Sequence, residues 1–137
     1  MNDGTFIGWW GLDNVGETGW HGPGSGRTGT LGEGDGQFYN PYGIAIDSAG
    51  LVYVINTQRP RFQVFTTDGT FIGWWGKDND SPNWTGWHLP GTGLTGYFGN
   101  QDGEFSSPFG IVLDPSGNVY VTDTGNHRIQ KFRKLSR

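Results

Sequence analysis

The sequence predicts an all-β fold, and three observations support that class. The segment DGTFIGWWG occupies residues 3–11 and recurs without change at residues 68–76, and internal repeats of this kind are typical of repeat architectures. The 137 residues include 26 Gly and 7 Pro beside 7 Trp, 5 Tyr and 9 Phe, which favours aromatic strands joined by tight turns. No window places apolar residues at i, i+3, i+4 and i+7 over the length of a helix.

The chain consists of two copies of one unit, residues 1–67 and residues 68–137. Trp20-His21 matches Trp87-His88, and from there the copies stay aligned at an offset of 67 residues. In the two copies GDGQF faces QDGEF, NPYGIAID faces SPFGIVLD, and LVYVINT faces NVYVTDT. We therefore treat residues 1–137 as a single domain made of two repeated units.

Each unit is predicted to contain four short antiparallel strands. Strands one and two are predicted at residues 43–46 and 51–56 around the turn Asp47-Ser48-Ala49-Gly50, and strand two of the second copy at residues 119–123. Strand three is predicted at residues 61–66, and strand four begins at Thr70 after an Asp-Gly pair that favours a two-residue hairpin. Four such strands per unit are typical of one blade of a propeller.

The second copy resembles the NHL repeat of β-propellers. The matching segments are GEF at 103–105, PFGI at 108–111, Asp114, GNVYV at 117–121 and DTGNHRIQKF at 123–132. The first copy departs from this pattern where Gln58-Arg59-Pro60 replaces Gly-Asn-His. The resemblance implies two propeller blades with long inserted loops, in which Asp123 and Arg128 shape turns and bind backbone.

The strand order predicts that the chain is completed by further copies. It begins with a fourth strand at residues 5–10 and ends with a third strand at residues 128–132, and two blades cannot close a propeller, which takes about four to eight. Head-to-tail pairing of these strands predicts a homo-oligomer: a six-bladed homotrimer if the ring closes, or a filament if it does not. The predicted interface residues are Thr5, Phe6, Ile7, Trp9, Trp10, Arg128, Ile129, Gln130, Lys131 and Phe132.

The period of 67 residues exceeds an ordinary blade of about 40 to 50, and the excess forms two Gly-rich segments between strand four and the next strand one. Trp20-His21 and Trp87-His88 recur in these segments and are predicted to converge on one face. They are candidate ligand-binding residues for a carbohydrate or a protein, since Trp stacks on a sugar and His donates or accepts. The alternative is that Trp fixes the loop and His binds a carbonyl.

Composition narrows the function classes. A net charge of −4 argues against nucleic acid as a partner, and no segment is long and apolar enough for a membrane span or a signal peptide. No cysteine, cofactor motif, metal site or catalytic set is evident, and the compartment stays open. The sequence favours a non-enzymatic, self-assembling interaction scaffold; a lectin-like binder and a channel-centred lyase or hydrolase are the alternatives.

Overall fold

The computed structural model describes residues 3–80 and 83–135, so residues 1–2 of the first unit and residues 81–82 and 136–137 of the second lie outside the described residues. The described residues form three antiparallel sheets, and their only helical element is a 3₁₀ turn at Thr124–Asn126. The all-β prediction is therefore confirmed.

Each sheet is built from consecutive strands. The N-terminal sheet has the order β2-β1-β3, with β1 at Trp9–Asp13, β2 at Thr18–His21 and β3 at Gly29–Thr30. The central sheet has the order β4-β5-β6-β7-β8, with β4 at Pro41–Ile46, β5 at Val52–Asn56, β6 at Arg61–Phe65, β7 at Phe71–Asp78 and β8 at Thr85–His88. In that sheet β9 at Gly96–Tyr97 also pairs with β7. The C-terminal sheet has the order β10-β11-β12, with β10 at Pro108–Leu113, β11 at Val119–Asp123 and β12 at Arg128–Phe132.

The inserted segments differ from the prediction of long loops. Residues 85–88 form β8 on the outer edge of the four-stranded β4-β5-β6-β7 meander, and residues 18–21 form β2 beside β1 in the same way. Each Trp-His pair therefore lies on a strand. The reason is that each strand four, β7 or β1, has N–H and C=O groups along a second edge, and the short inserted strand forms hydrogen bonds with them.

The hairpin after β6 also differs from the sequence prediction. The backbone N–H of Thr66 donates to the Thr70 oxygen at 2.9 Å, and Gly69 donates to the Thr66 oxygen at 3.1 Å. Gly69 has a φ of 85°, in the left-handed region. The loop is therefore the three-residue type, in which glycine ends the turn, instead of a two-residue loop.

Two apolar clusters hold the three sheets together. The larger cluster lies between the central and C-terminal sheets and contains Leu51, Tyr53, Ile55, Phe62, Val64, Phe105, Ile111, Val119 and Val121. The smaller cluster joins the N-terminal and central sheets through Val52, Val54 and Phe65, with Trp10, Phe38 and Phe71 packed against them. Successive sheets thus stack face to face, with the central sheet covered on both faces.

Candidate functional site

Strand β7 of the central sheet is paired along both edges. One edge pairs with β6 in the register Phe62 with Trp75, and the other pairs with β8 in the register Trp74 with His88. Past the end of β6, β9 pairs with Lys77 and Asp78. Its backbone groups along the sheet are therefore used on both sides.

Strand β1, the copy of β7 in the N-terminal sheet, has fewer partners. It pairs with β2 in the register Trp9 with His21, and with β3 only at Leu12 and Asp13. Within the described residues no strand pairs with the second edge of β1 at Trp9 and Trp10. This open stretch corresponds to the part of β7 that β6 occupies in the central sheet.

Residues 6–8 and 71–73 have the same sequence but differ in local structure. Residues 71–73 belong to β7, whereas residues 6–8, which have the same three amino acids, lie outside any strand. Phe6 and Ile7 are exposed, while Phe71 and Ile72 are partly buried. The structure therefore differs from the sequence-predicted strand at 5–10 at residues 5–8, which have no neighbouring strand within the described residues, whereas β6 pairs with the equivalent part of β7.

Strand β12 carries the complementary open edge. It pairs with β11 over all five residues, and no described strand pairs with its other edge. A groove of about 490 Å³ runs along that edge and is lined by Trp75, Asp102, Gly103 and residues 128–132. The equivalent edge in the first unit, on β6, is occupied by β7.

Equivalent apolar side chains of the two units differ in exposure. Ile129 on β12 is 70% exposed, whereas its equivalent Phe62 in the central sheet is 1% exposed and packs in the larger cluster. Ile44 on β4 is 66% exposed, whereas its equivalent Ile111 is 6% exposed in that same cluster. Phe62 and Ile111 thus belong to one interface between sheets, whereas the equivalent positions Ile129 and Ile44 are exposed.

Two positions on the open face of the C-terminal sheet are polar where the central sheet has apolar residues. Thr122 stands where the central sheet has the buried Ile55, and Lys131 stands where it has the buried Val64. The ammonium of Lys131 lies 5.3 Å from the ring centre of Tyr120 on the same sheet. This face is therefore less apolar than its counterpart, which lowers the free energy gained by covering it.

An arginine lies at the start of strand three in both units, fully buried as Arg61 in the first and partly exposed as Arg128 in the second. In the second unit Nε of Arg128 donates to Oδ2 of Asp123 at 2.8 Å, and the same carboxylate accepts from Gln130 at 3.0 Å. This pairing agrees with the structural role that the NHL resemblance implies for Asp123 and Arg128. The carboxylate joins strand two to strand three across the sheet.

The first unit lacks that carboxylate, because Asn56 replaces Asp123. Arg61 is fully buried, with its Nη2 donating to the backbone oxygens of Glu33 and Gly34. Within the described residues Nε and Nη1 of Arg61 and Nδ2 of Asn56 have no hydrogen-bond partner. Burial lowers the pKa of Arg61 to about 10, although Asp35 and Glu33 raise it in part.

The Trp-His pairs pack within their own sheets. His88 stacks on Trp74 at a ring distance of 3.9 Å, and its Nε2 lies 3.1 Å from the Gly76 carbonyl oxygen. His21 is related in the same way to Trp9, at 4.2 Å. Burial lowers the pKa of His88, against the opposing effect of the Gly76 carbonyl and Asp78.

The two tryptophans of these pairs lie nearer the surface. Trp20 is 43% exposed and lines a cleft of about 310 Å³ with Thr18, Asp35 and Asp68. Trp87 is partly buried and packs against the larger apolar cluster. Ligand binding at Trp20, His21, Trp87 and His88 stays a prediction, and Trp20 has the most accessible ring of the four.

The departure from the repeat pattern at residues 58–60 has a local consequence. Asn126 of the second unit donates to the Gly99 carbonyl oxygen at 2.8 Å. Its equivalent, Arg59, instead donates from Nε to Oε1 of Glu33 at 2.8 Å and has a φ of 53°. The loop between strands two and three is therefore tied by an ion pair in the first unit and by an amide in the second.

Two further findings concern metal ions and membranes. In residues 3–80 and 83–135, no group of three or more His, Cys, Asp or Glu side chains could hold a metal ion. No helix of the described chain is long and apolar enough to cross a membrane.

The geometry defines a repeated all-β protein in which, within the described residues, β1 and β12 each have an unpaired stretch of edge. The NHL repeat family matches residues 105–132, which contain β10, β11 and β12. The chain therefore carries an NHL repeat, as its sequence resemblance predicted.

Curated relatives match a short part of the chain. The B-box type zinc finger protein ncl-1 of Caenorhabditis elegans is 45% identical over 42 residues, which are 31% of this chain and 5% of ncl-1. Protein brain tumor of Drosophila melanogaster is 43% identical over 42 residues, 31% of this chain and 4% of that protein. Protein lin-41 of C. elegans is 43% identical over 44 residues, 32% of this chain and 4% of lin-41. The similarity thus spans a small fraction of each relative.

Proposed function

We propose that this chain is a non-enzymatic protein-interaction module of the β-propeller type that assembles with copies of itself. The observation that carries the proposal is the complementarity of its two ends. The N-terminal sheet holds a strand four with an open edge, and the C-terminal sheet holds strands one to three with an open edge. Together the two ends contain the strands of one complete blade.

Head-to-tail pairing of these ends makes each chain contribute two blades. Three chains then give six blades, within the range of about four to eight blades at which propellers close. Closure covers the exposed Ile44 and Ile129 and removes the open edges of β1 and β12, which are otherwise a template for uncontrolled pairing. A homotrimeric ring is therefore the assembly we favour, and a filament is the result if the rotation per chain does not close.

The experiment is a measurement of mass in solution by size-exclusion chromatography with light scattering, over a wide range of protein concentration. The expected mass is three times the 15.0 kDa of one chain. A folded monomer at all concentrations would refute self-assembly, and fibres in electron micrographs would replace the ring by the filament.

A second candidate function is binding of a carbohydrate at the cleft beside Trp20. One observation favours it: an exposed indole ring shares the cleft with the carboxylates of Asp35 and Asp68 and the hydroxyl of Thr18. Sugars are bound by stacking on such rings and by hydrogen bonds to nearby polar groups. A glycan array tests it, with Trp20→Ala as the control that should lose every signal specific to this cleft.

A further inference from the structure

We propose that the groove along β12 receives residues 6–10 of a second copy of this chain, which include the start of β1, in the register that β7 has on β6. The pairs are Ile129 with Trp10, Gln130 with Trp9, Lys131 with Gly8 and Phe132 with Phe6. This inference rests on the proposed function, since it names the partner, the surface and the register of the assembly contact.

The central sheet supplies the register. There β6 and β7 pair Phe62 with Trp75, Gln63 with Trp74, Val64 with Gly73 and Phe65 with Phe71. Residues 6–10 repeat the sequence of residues 71–75 without change. The docked strand therefore has the same side chains as one already held in this position by the fold.

Docking also supplies the missing face of Trp9. In the central sheet Trp74 is fully buried between His88 and Arg61, whose guanidinium carbon lies 5.3 Å from the indole centre. Trp9 has the equivalent of His88 in His21, but within the described residues no arginine lies over its ring as Arg61 lies over Trp74. Arg128 of the second copy, which lines the β12 groove, is the equivalent of Arg61 and fills this place.

Space for the incoming chain is present beside β1. A cleft of about 300 Å³ lies next to Trp9, Gly11 and Gly29. At Gly96, the equivalent of Gly29, an added Cβ would lie 2.4 Å from the Pro60 carbonyl oxygen, because the connection from β5 to β6 passes there. At Gly29 the nearest atom to such a Cβ is 3.9 Å away. The cleft is thus the place of the β11 to β12 connection of a second copy, around His127.

The first test uses this difference between the two glycines. Gly29→Ala makes only an ordinary van der Waals contact with the Trp9 ring of its own chain, at 3.9 Å. The circular dichroism spectrum should therefore match that of the parent, but the methyl group should obstruct the second copy. We expect assembly, measured as mass against concentration, to weaken about tenfold or more, the order of an overpacked contact. Gly22→Ala is the matched control, since a Cβ there meets nothing within 4 Å and Gly22 does not line the cleft beside β1. Unchanged assembly of Gly29→Ala would overturn the inference.

The second test is a disulfide between copies, in a chain whose only cysteines are the introduced ones. Thr66 and Thr70 pair at the end of the β6–β7 ladder, so their equivalents, Arg133 and Thr5, should meet between copies. Thr5→Cys with Arg133→Cys should give covalent dimers and trimers on a non-reducing gel, and Thr5→Cys with Ile129→Cys, four residues out of register, should not.

The outcomes separate the two proposals. An oligomer without the Thr5–Arg133 crosslink would keep self-assembly and refute this groove and register. A monomeric parent protein would refute the proposed function together with this inference.

Discussion

Arg61 and Arg128 occupy the same place in two units but face different side chains. Asp123 gives Arg128 a charged acceptor, whereas Asn56 stands opposite Arg61. The Asn56 Oδ1 accepts from the Tyr39 N–H at 3.2 Å, and within the described residues its Nδ2 donor has no hydrogen-bond partner. Turning the amide over would leave the Tyr39 N–H facing an NH₂ group, so an asparagine cannot satisfy both sides. Asn56→Asp is therefore expected to stabilise the protein.

The structure sets the size of this effect. Burial lowers the pKa of Arg61 to about 10, well below its ordinary value, a difference that corresponds to about 3 kcal/mol against the charged guanidinium. A charge-assisted hydrogen bond contributes about 1.5–3 kcal/mol when the acceptor is already in place. We expect Asn56→Asp to raise the free energy of unfolding by about 1.5–3 kcal/mol. This gain does not exceed the free energy by which burial disfavours the charged guanidinium of Arg61.

The assay is urea unfolding followed by tryptophan fluorescence, at one fixed protein concentration because assembly adds to apparent stability. The reciprocal variant Asp123→Asn should lose stability, since it leaves Nε of Arg128 without its acceptor. Asn14→Asp is the control, because it adds the same charge at an exposed position and should have little effect.

The gain should depend on pH in one direction. Arg61 should hold the pKa of the new carboxylate below its unfolded value of about 3.9, so the stabilisation is complete above that pH and is lost as the pH falls through the folded pKa. If Asn56→Asp leaves stability unchanged or lowers it at neutral pH, the buried arginine is already compensated and the reasoning is refuted.

Three further predictions concern assembly and pH. Lys131→Val, which restores the residue of the first unit at Val64, should strengthen assembly by about 1–2 kcal/mol because it replaces a cation by apolar surface at the sheet interface; light scattering on dilution measures it. Removal of residues 1–11 should abolish assembly, because the edge of β12 loses its partner strand. Stability should fall as the pH drops below about 6.5, because the unfolded chain binds a proton that the lowered pKa of His88 resists in the fold, and His88→Phe, which keeps a ring on Trp74, should reduce that slope.

Each of these predictions has its own contradicting result. Lys134→Val changes the same type of residue after the end of β12, and an equal gain there would mean that Lys131 is not in an interface. A truncated chain that keeps its oligomeric mass would show that each copy satisfies its own edge. An undiminished pH slope in His88→Phe would assign the titration to other groups.

Much of the fold is determined by the sequence itself. The exact nonapeptide repeat, the Asp-Gly turn and the short aromatic strands locate β4, β5, β6, β11 and β12 to within two residues. The NHL repeat can be recognised from the sequence of the second unit because its turn residues and apolar positions are local features. These features depend on neighbours a few residues away, which is why sequence reasoning finds them.

Other features were decided by partners far away in the chain. The segment FIG forms part of a strand at residues 71–73 and not at residues 6–8, although the amino acids are the same. The Trp-His segments lie on strands because strand four has a second edge to fill, and Asn56 matters only because β6 places Arg61 opposite it. The physical reason is that a strand completes its hydrogen bonds and buries its side chains only against another strand, so its sequence specifies which partner it fits and the tertiary structure decides whether that partner is present.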